Sequence, residues 1–216
     1  MRKLLPIAFL VSLLAPAAAS AQLTLGARVG YAFPTGKVDD GPDADLGDYW
    51  KNQIPLQVDV GFKLSPALTL GGYVSYGFSS AGDVADAELC SLTDVDCSLS
   101  IVRLGVQLDY AFETASPSVV PWFGVGTGYE WARIKADGPV GEAKLTDKGW
   151  EILNLQVGAD FKAGPSFAVG PFAQYAFGKY TRIELEDEDG NTLGGDVEDT
   201  AMHGWFQIGV RGRFGL

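Results

Sequence analysis

From His203 to Leu216 the chain alternates with a period of two. Phe206, Ile208, Val210, Phe214 and Leu216 fall on one parity, while Trp205, Gln207, Gly209, Arg211 and Arg213 fall on the other. Successive side chains of an extended strand point to opposite faces, so this pattern predicts a strand with one apolar and one polar face. The same alternation predicts strands over 23–33, 53–63, 68–79, 101–112, 121–134, 150–162 and 167–181. One face of each is Leu, Val and aromatics; the other is Gly, Gln, Thr, Arg and Asp. Segments 34–52, 80–99, 135–149 and 182–202 read as long loops, and the three remaining connections as short turns rich in Pro, Gly and Ser.

Long loops and short turns alternate, so the turns and both termini belong on one side. The outer-face aromatics then sort by height. Phe62, Tyr110, Phe112, Phe123, Phe161, Phe167 and Phe214 lie towards the turns. Tyr31, Phe33, Tyr76, Phe78, Tyr129, Trp131, Tyr175 and Phe177 lie towards the loops, with Leu, Val and Ala between. A soluble core gives no reason for such sorting, whereas a bilayer does: two aromatic girdles flank an aliphatic band. Each strand has the roughly 9–11 residues a tilted strand needs to cross, and closure leaves no backbone unpaired in lipid. The expected fold is all-β, an eight-stranded antiparallel up-and-down transmembrane β-barrel.

Composition changes this picture in three places. Met1-Arg2-Lys3, the apolar run Leu4–Leu14 and Ala19-Ser20-Ala21 read as a secretory signal peptide over 1–21, with the barrel over 22–216. The net charge is −11, and more negative still without Arg2 and Lys3, which argues against nucleic acid as a partner. Cys90 and Cys97 lie seven apart in a chain with a single histidine, so a disulfide in an oxidising compartment is expected, not a zinc site; no metal or other cofactor is expected.

The L-G-A-R-V-G-Y-A-F opening, P-W-F-G-V-G-T-G-Y in the fifth strand and the closing F-Q-I-G-V-R-G-R-F-G-L carry a resemblance. Over 22–216 the chain resembles the eight-stranded bacterial outer-membrane barrels of the OmpA, OmpX and OmpW type. The resemblance implies residence in the bacterial outer membrane, long loops extracellular and both termini periplasmic. It implies outer-membrane lipid and lipopolysaccharide as partners, and the barrel-assembly machinery during biogenesis. That machinery reads a terminal aromatic; here Phe214 stands two before Leu216 on the same face. Members of the family include passive structural barrels, adhesins, conduits for small hydrophobic molecules and a few lipid-modifying enzymes.

Eight strands leave an interior just filled by side chains. Arg28, Asp59, Asp109, Asp160 and Arg211 fall on the inward face a few residues above the turns, with Arg213 below them. Buried charges must be paired to be tolerated, so the expectation is a charge-paired plug near the periplasmic end; a gate or proton path is the alternative. Catalysis is not expected: His203, at the loop end of the last strand and read as a surface residue, has only Ser79 and Ser80 at similar height, and no nucleophile motif is present. The four loop segments carry 21 of the 27 acids. These read chiefly as solvated runs, with divalent cations as a candidate partner of the last loop. The expected role is structural or surface-interacting, with a conduit for small hydrophobic molecules second and an outer-leaflet lipid-modifying enzyme third.

Overall fold

The computed structural model describes residues 22–41, 44–85, 90, 94–114, 118–139 and 141–215. The expected signal peptide and Leu216 lie outside them. Among the described residues nine strands run in order: β1 Leu23–Gly36, β2 Trp50–Lys63, β3 Leu68–Ala81, β4 Asp96–Ala111, β5 Val119–Gly138, β6 Gly141–Lys162, β7 Phe167–Glu186, β8 Thr192–Asp196 and β9 His203–Phe214. Two single helical turns, α1 (Leu46–Tyr49) and α2 (Asp83–Ala85), lie between strands.

Every neighbouring pair is antiparallel. β9 pairs with both β1 and β7, and β6 with both β5 and β7, so eight strands close into a ring and only β8 stands outside it. Closure is what the sequence demands. The outward faces are apolar and exposed, for example Val58, Leu104 and Val157, while the inward faces bury Gln57, Gln107, Gln156 and Gln207. Antiparallel register puts the girdle aromatics side by side. Phe167 meets Phe214, and Tyr110 meets Phe123, near the turns; Phe33 meets Phe206, and Tyr129 packs on Trp131 and Trp150, near the loops. At the β2–β3 turn the Ser65 hydroxyl accepts from the Leu68 amide, 3.1 Å, which tightens the reversal.

Two segments differ from the sequence expectation. The third long loop, 135–149, is mostly strand: β5 runs to Gly138 and β6 starts at Gly141, paired throughout. Its alternation is masked in sequence because both faces are partly polar there. The last loop is likewise shortened, since β7 continues to Glu186 and β8 folds back on it. β5, β6, β7 and β8 thus form a four-stranded sheet that rises beyond the upper girdle. Its outward face is an ion-pair ladder: Lys135 and Lys144 bracket Glu142, Lys144 also reaches Glu186, and Lys148 and Arg182 meet Glu184. Its other face is aliphatic. Ile134, Leu145, Leu185 and Leu193 are directly opposite one another in consecutive strands, and Leu193 is 77% exposed.

β6 also carries one extra residue. Between the pairs Gly126↔Asn154 and Gly128↔Glu151 it takes three steps to β5's two. This bulge turns Ile152 and Leu153 both away from the lumen and brings Glu151 inward with Asn154.

Candidate functional site

The lumen holds the chemistry, in three layers. The lowest, above the turns, contains the six charged residues expected from the sequence. Arg28 donates from Nε to Asp59 Oδ2, 2.7 Å, and from Nη1 to Gln156 Oε1, 2.5 Å. Gln156 Nε2 donates to Gln107 Oε1, and Gln107 and Gln57 both donate to Asp59 Oδ1, which closes a ring of side chains. Arg211 grips Asp160 through two nitrogens, 2.9 and 2.7 Å, and reaches Asp109 at 3.3 Å. Arg213 lies 3.6 Å from Asp160. A bidentate fork on a carboxylate is the geometry in which arginine binds most strongly. Trp122 fills the centre, with the Arg211 guanidinium 3.2 Å from its ring centroid and Arg28 5.7 Å away.

A second layer, higher in the barrel, was not singled out from sequence. Arg103 Nε donates to Glu130 Oε2 at 2.6 Å and stands 3.7 Å from Glu151 Oε2. The Tyr73 hydroxyl and Asn154 Nδ2 both donate to Glu151 Oε1. The Tyr180 hydroxyl donates to Glu130 Oε1, with His203 Nε2 at 3.2 Å from the same oxygen. His203 stacks on the Tyr180 ring at 3.9 Å and is 4% exposed. The expectation of a surface histidine is therefore corrected: position 203 has the inward parity of β9, and a stacked, hydrogen-bonded ring fits there. Arg103 and Glu130 are directly opposite in β4 and β5, a signal that aligning the inward faces could have found. Glu151 was hidden by the bulge. Trp122 and Phe172 share the inward parity of β5 and β7 and are buried, but as large apolar rings they carry no polar signal that marks a lumen position in sequence.

Glycines make room for these layers. A Cβ on Gly105 would lie 2.4 Å from the Tyr73 hydroxyl, and one on Gly124 would lie 2.5 Å from Asp109 Oδ1. The polar side chains thus lean into space that any larger residue would occupy.

The third layer is apolar and caps the loop-end mouth. Leu46 of α1 is buried there against a cluster that includes Trp50, Leu99, Ile101, Tyr180 and Trp205, with the Cys90–Cys97 disulfide packed beside it. Closing a loop this short is worth roughly 2–3 kcal/mol against the reduced chain in the loop-entropy account.

Among the described residues no serine hydroxyl is hydrogen-bonded to the histidine. The Ser79 hydroxyl donates to the Lys51 carbonyl, 3.2 Å, whereas His203 turns to Glu130 in the lumen. Among the described residues no three His, Cys, Asp or Glu side chains gather to hold a metal ion. In the acidic loop Asp187 instead accepts from the backbone and side-chain nitrogens of Asn191, 2.8 and 3.0 Å; that contact holds its carboxyl below the ordinary range.

Solved outer-membrane barrels share this architecture. The Neisserial surface protein A is 13% identical, with 90% of this chain covering 97% of that one at a TM-score of 0.52. A major outer membrane protein from Thermus thermophilus is 15% identical, with 90% covering 100% at 0.53. OprG from Pseudomonas aeruginosa is 12% identical, with 91% covering 98% at 0.50. At such identities the likeness is one of fold. No curated protein matches the chain by sequence. Residues 5–214 match the family described as outer membrane protein beta-barrel domain. With nearly the whole chain matched and an eight-stranded ring closed around a polar interior, the protein belongs to that family, whose members are bacterial outer-membrane proteins.

Proposed function

We propose that this chain is a closed, structural outer-membrane barrel whose working surface is its loop end. The observation that carries the reading is the filled lumen: an arginine–aspartate layer around Trp122, an arginine–glutamate layer around Tyr73 and Tyr180, and an apolar cap at the mouth. A passive diffusion path needs a continuous column of water, and buried ion pairs with good geometry are held too firmly to step aside. The surface-interaction part of the role rests on the protruding sheet, which presents Ile183, Leu185 and Leu193 to solvent and leaves one edge of β8 without a strand partner among the described residues.

In this reading the loop end faces outward and the turns and termini face the periplasm, an orientation supported by the signal-like start of the chain and by a disulfide placed at the loop end. Outer-membrane lipid contacts the aliphatic band, lipopolysaccharide and its divalent cations meet the loop end, and the barrel-assembly machinery inserts the chain. A conduit for small hydrophobic molecules ranks second and lipid modification third; the first would need the cap and both charged layers to move, the second a nucleophile beside His203. Reconstitution into planar bilayers, together with a hydrophobic-solute uptake assay in vesicles, tests the proposal. No steady conductance and no uptake above protein-free vesicles is expected. Sustained conductance from the monomer would overturn the closed barrel, and uptake alone would put the conduit first.

A further inference from the structure

The turn end of the barrel contains a small basic chamber that the closed-lumen reading does not use. Its volume is about 130 Å³, and Lys63, Thr69, Asp160, Lys162, Ala168 and Arg213 are among the residues lining it. Lys63 closes β2 and Lys162 closes β6. In the strand register Lys162 is opposite Ala168, and Ala168 is opposite Arg213. The two cations therefore flank one small side chain in adjacent strands, on a shared face. Lys63 approaches from the other side through its partner Thr69.

The charges here are not balanced as they are elsewhere in the lumen. Asp160 is the one carboxylate among the lining residues, and both its oxygens are already engaged by Arg211 at 2.9 and 2.7 Å. Arg213 is 8% exposed and keeps a 3.6 Å contact with Asp160. Among the described residues, Lys63 and Lys162 have no ion-pair partner within 4 Å, and Arg213 and Lys162 both repel the Lys63 ammonium. This gathering of like charge occurs in a chain of net charge −11, where acids to pair with are plentiful. Buried Arg213, half-buried Lys63 and exposed Lys162 held around one cavity create a positive potential that an anion relieves. Ammonium, guanidinium and hydroxyl donors converging on a small space suit an oxyanion with several acceptor oxygens.

We propose that the turn-end chamber is a binding site for a phosphate-type oxyanion, held by Lys63, Lys162 and Arg213 with the Thr69 hydroxyl. The same chemistry is offered by free phosphate and by the headgroup of an anionic phospholipid at that membrane surface, and the two are separable. The mature chain is reconstituted in phosphatidylcholine vesicles, and its unfolding midpoint is followed by tryptophan fluorescence. In one arm inorganic phosphate is titrated at constant ionic strength against chloride. In the other, phosphatidylglycerol replaces part of the phosphatidylcholine with no phosphate in the buffer.

Wild type is expected to be stabilised in at least one arm, since a ligand that binds only the folded state raises its stability by mass action. Stabilisation by phosphate alone identifies a soluble oxyanion; stabilisation by phosphatidylglycerol, with or without phosphate, identifies a headgroup. K63Q and K162Q lie at the rim and leave the Arg211–Asp160 pair intact. Together they are expected to weaken the effect about tenfold, as loss of two charge-assisted contacts implies. K135Q with K144Q, on the protruding sheet, is expected to leave it unchanged. A wild type that responds no more than K63Q/K162Q in both arms, or an equal loss from K135Q/K144Q, overturns the site. Neither result bears on whether the barrel conducts.

Discussion

Replacing Asp160 with alanine is expected to be among the most damaging single changes in the lumen. Asp160 accepts from Arg211 Nε and Nη2 at 2.9 and 2.7 Å and stands 3.6 Å from Arg213 Nη1. The Arg211 side chain is 1% exposed, so its charge cannot turn to water when the carboxylate goes. Breaking a buried pair by removing one partner costs about 3–5 kcal/mol. Arg211 would retain Asp109 at 3.3 Å and the Trp122 face, which places the expected loss near the lower end, about 3 kcal/mol. The same physics predicts a rescue. D160A combined with R211M removes both charges of the pair, and a methionine can pack on Trp122, but Asp109 then loses its arginine, so the double variant should recover only part of the loss. Urea unfolding in lipid vesicles, read by tryptophan fluorescence with m-values compared, measures both. If D160A unfolds at the wild-type midpoint, the layer is wet and its ions are solvated; if the double variant is worse than either single one, the pair contributes net stability and the desolvation argument fails.

Leu104 and Val157 are more than half exposed on the outward face. Arginine at either should cost about 2–4 kcal/mol in vesicle unfolding, and a neutral result would reassign that face. Glu142, bonded by Lys135 and then Lys144, and Glu184, bonded first by Lys148, lie in the sheet beyond the upper girdle with carboxyls held below their ordinary 4.5. A depressed folded-state value stabilises the sheet above about pH 4.5 and is lost as pH falls through the folded value, so amide exchange in β5–β8 should quicken there while the barrel stays protected; unchanged exchange would remove the ladder from the account. In intact cells, reductant followed by a membrane-impermeant thiol reagent should label Cys90 and Cys97, and labelling that requires a broken outer membrane would invert the orientation.

The barrel was legible in sequence because its strands obey one rule. A residue's parity decides lipid or lumen, and Arg28, Asp59, Asp109, Asp160, Arg211 and Arg213 all obey it. What escaped notice broke the rule or fell outside it. One extra residue at Ile152 shifts parity inside β6, so Glu151 reads as outward when it is buried. Trp122 and Phe172 face the lumen because glycines such as Gly158 leave space beside them, and a contrast of apolar with polar character passes over apolar rings on the inward face. Beyond Arg133 neither face contacts lipid; alternation loses its apolar-to-polar contrast there, and strands read as loops. Partners across the lumen, such as Arg211 with Asp160, are 51 residues apart, and no local pattern encodes them.

The protruding sheet sets a reach. From Trp131, in the upper girdle, to Gly138, at the tip of β5, the chain climbs at about 3.3 Å per residue, roughly 23 Å along the strand. Even at the steep tilt of barrel strands, near 45°, the tip stands about 16 Å above the girdle. The polar headgroup zone on one side of a bilayer is only about 5–7 Å deep. The tip of the hairpin therefore clears phospholipid headgroups, while the aliphatic row of Leu145, Leu185 and Leu193, in register with Ile134 three residues above Trp131, lies about 7 Å up, at their upper edge. A large, rigid partner could meet the tip while remaining wholly in water, and shortening the hairpin while keeping its sequence at the tip would bury that meeting point among headgroups.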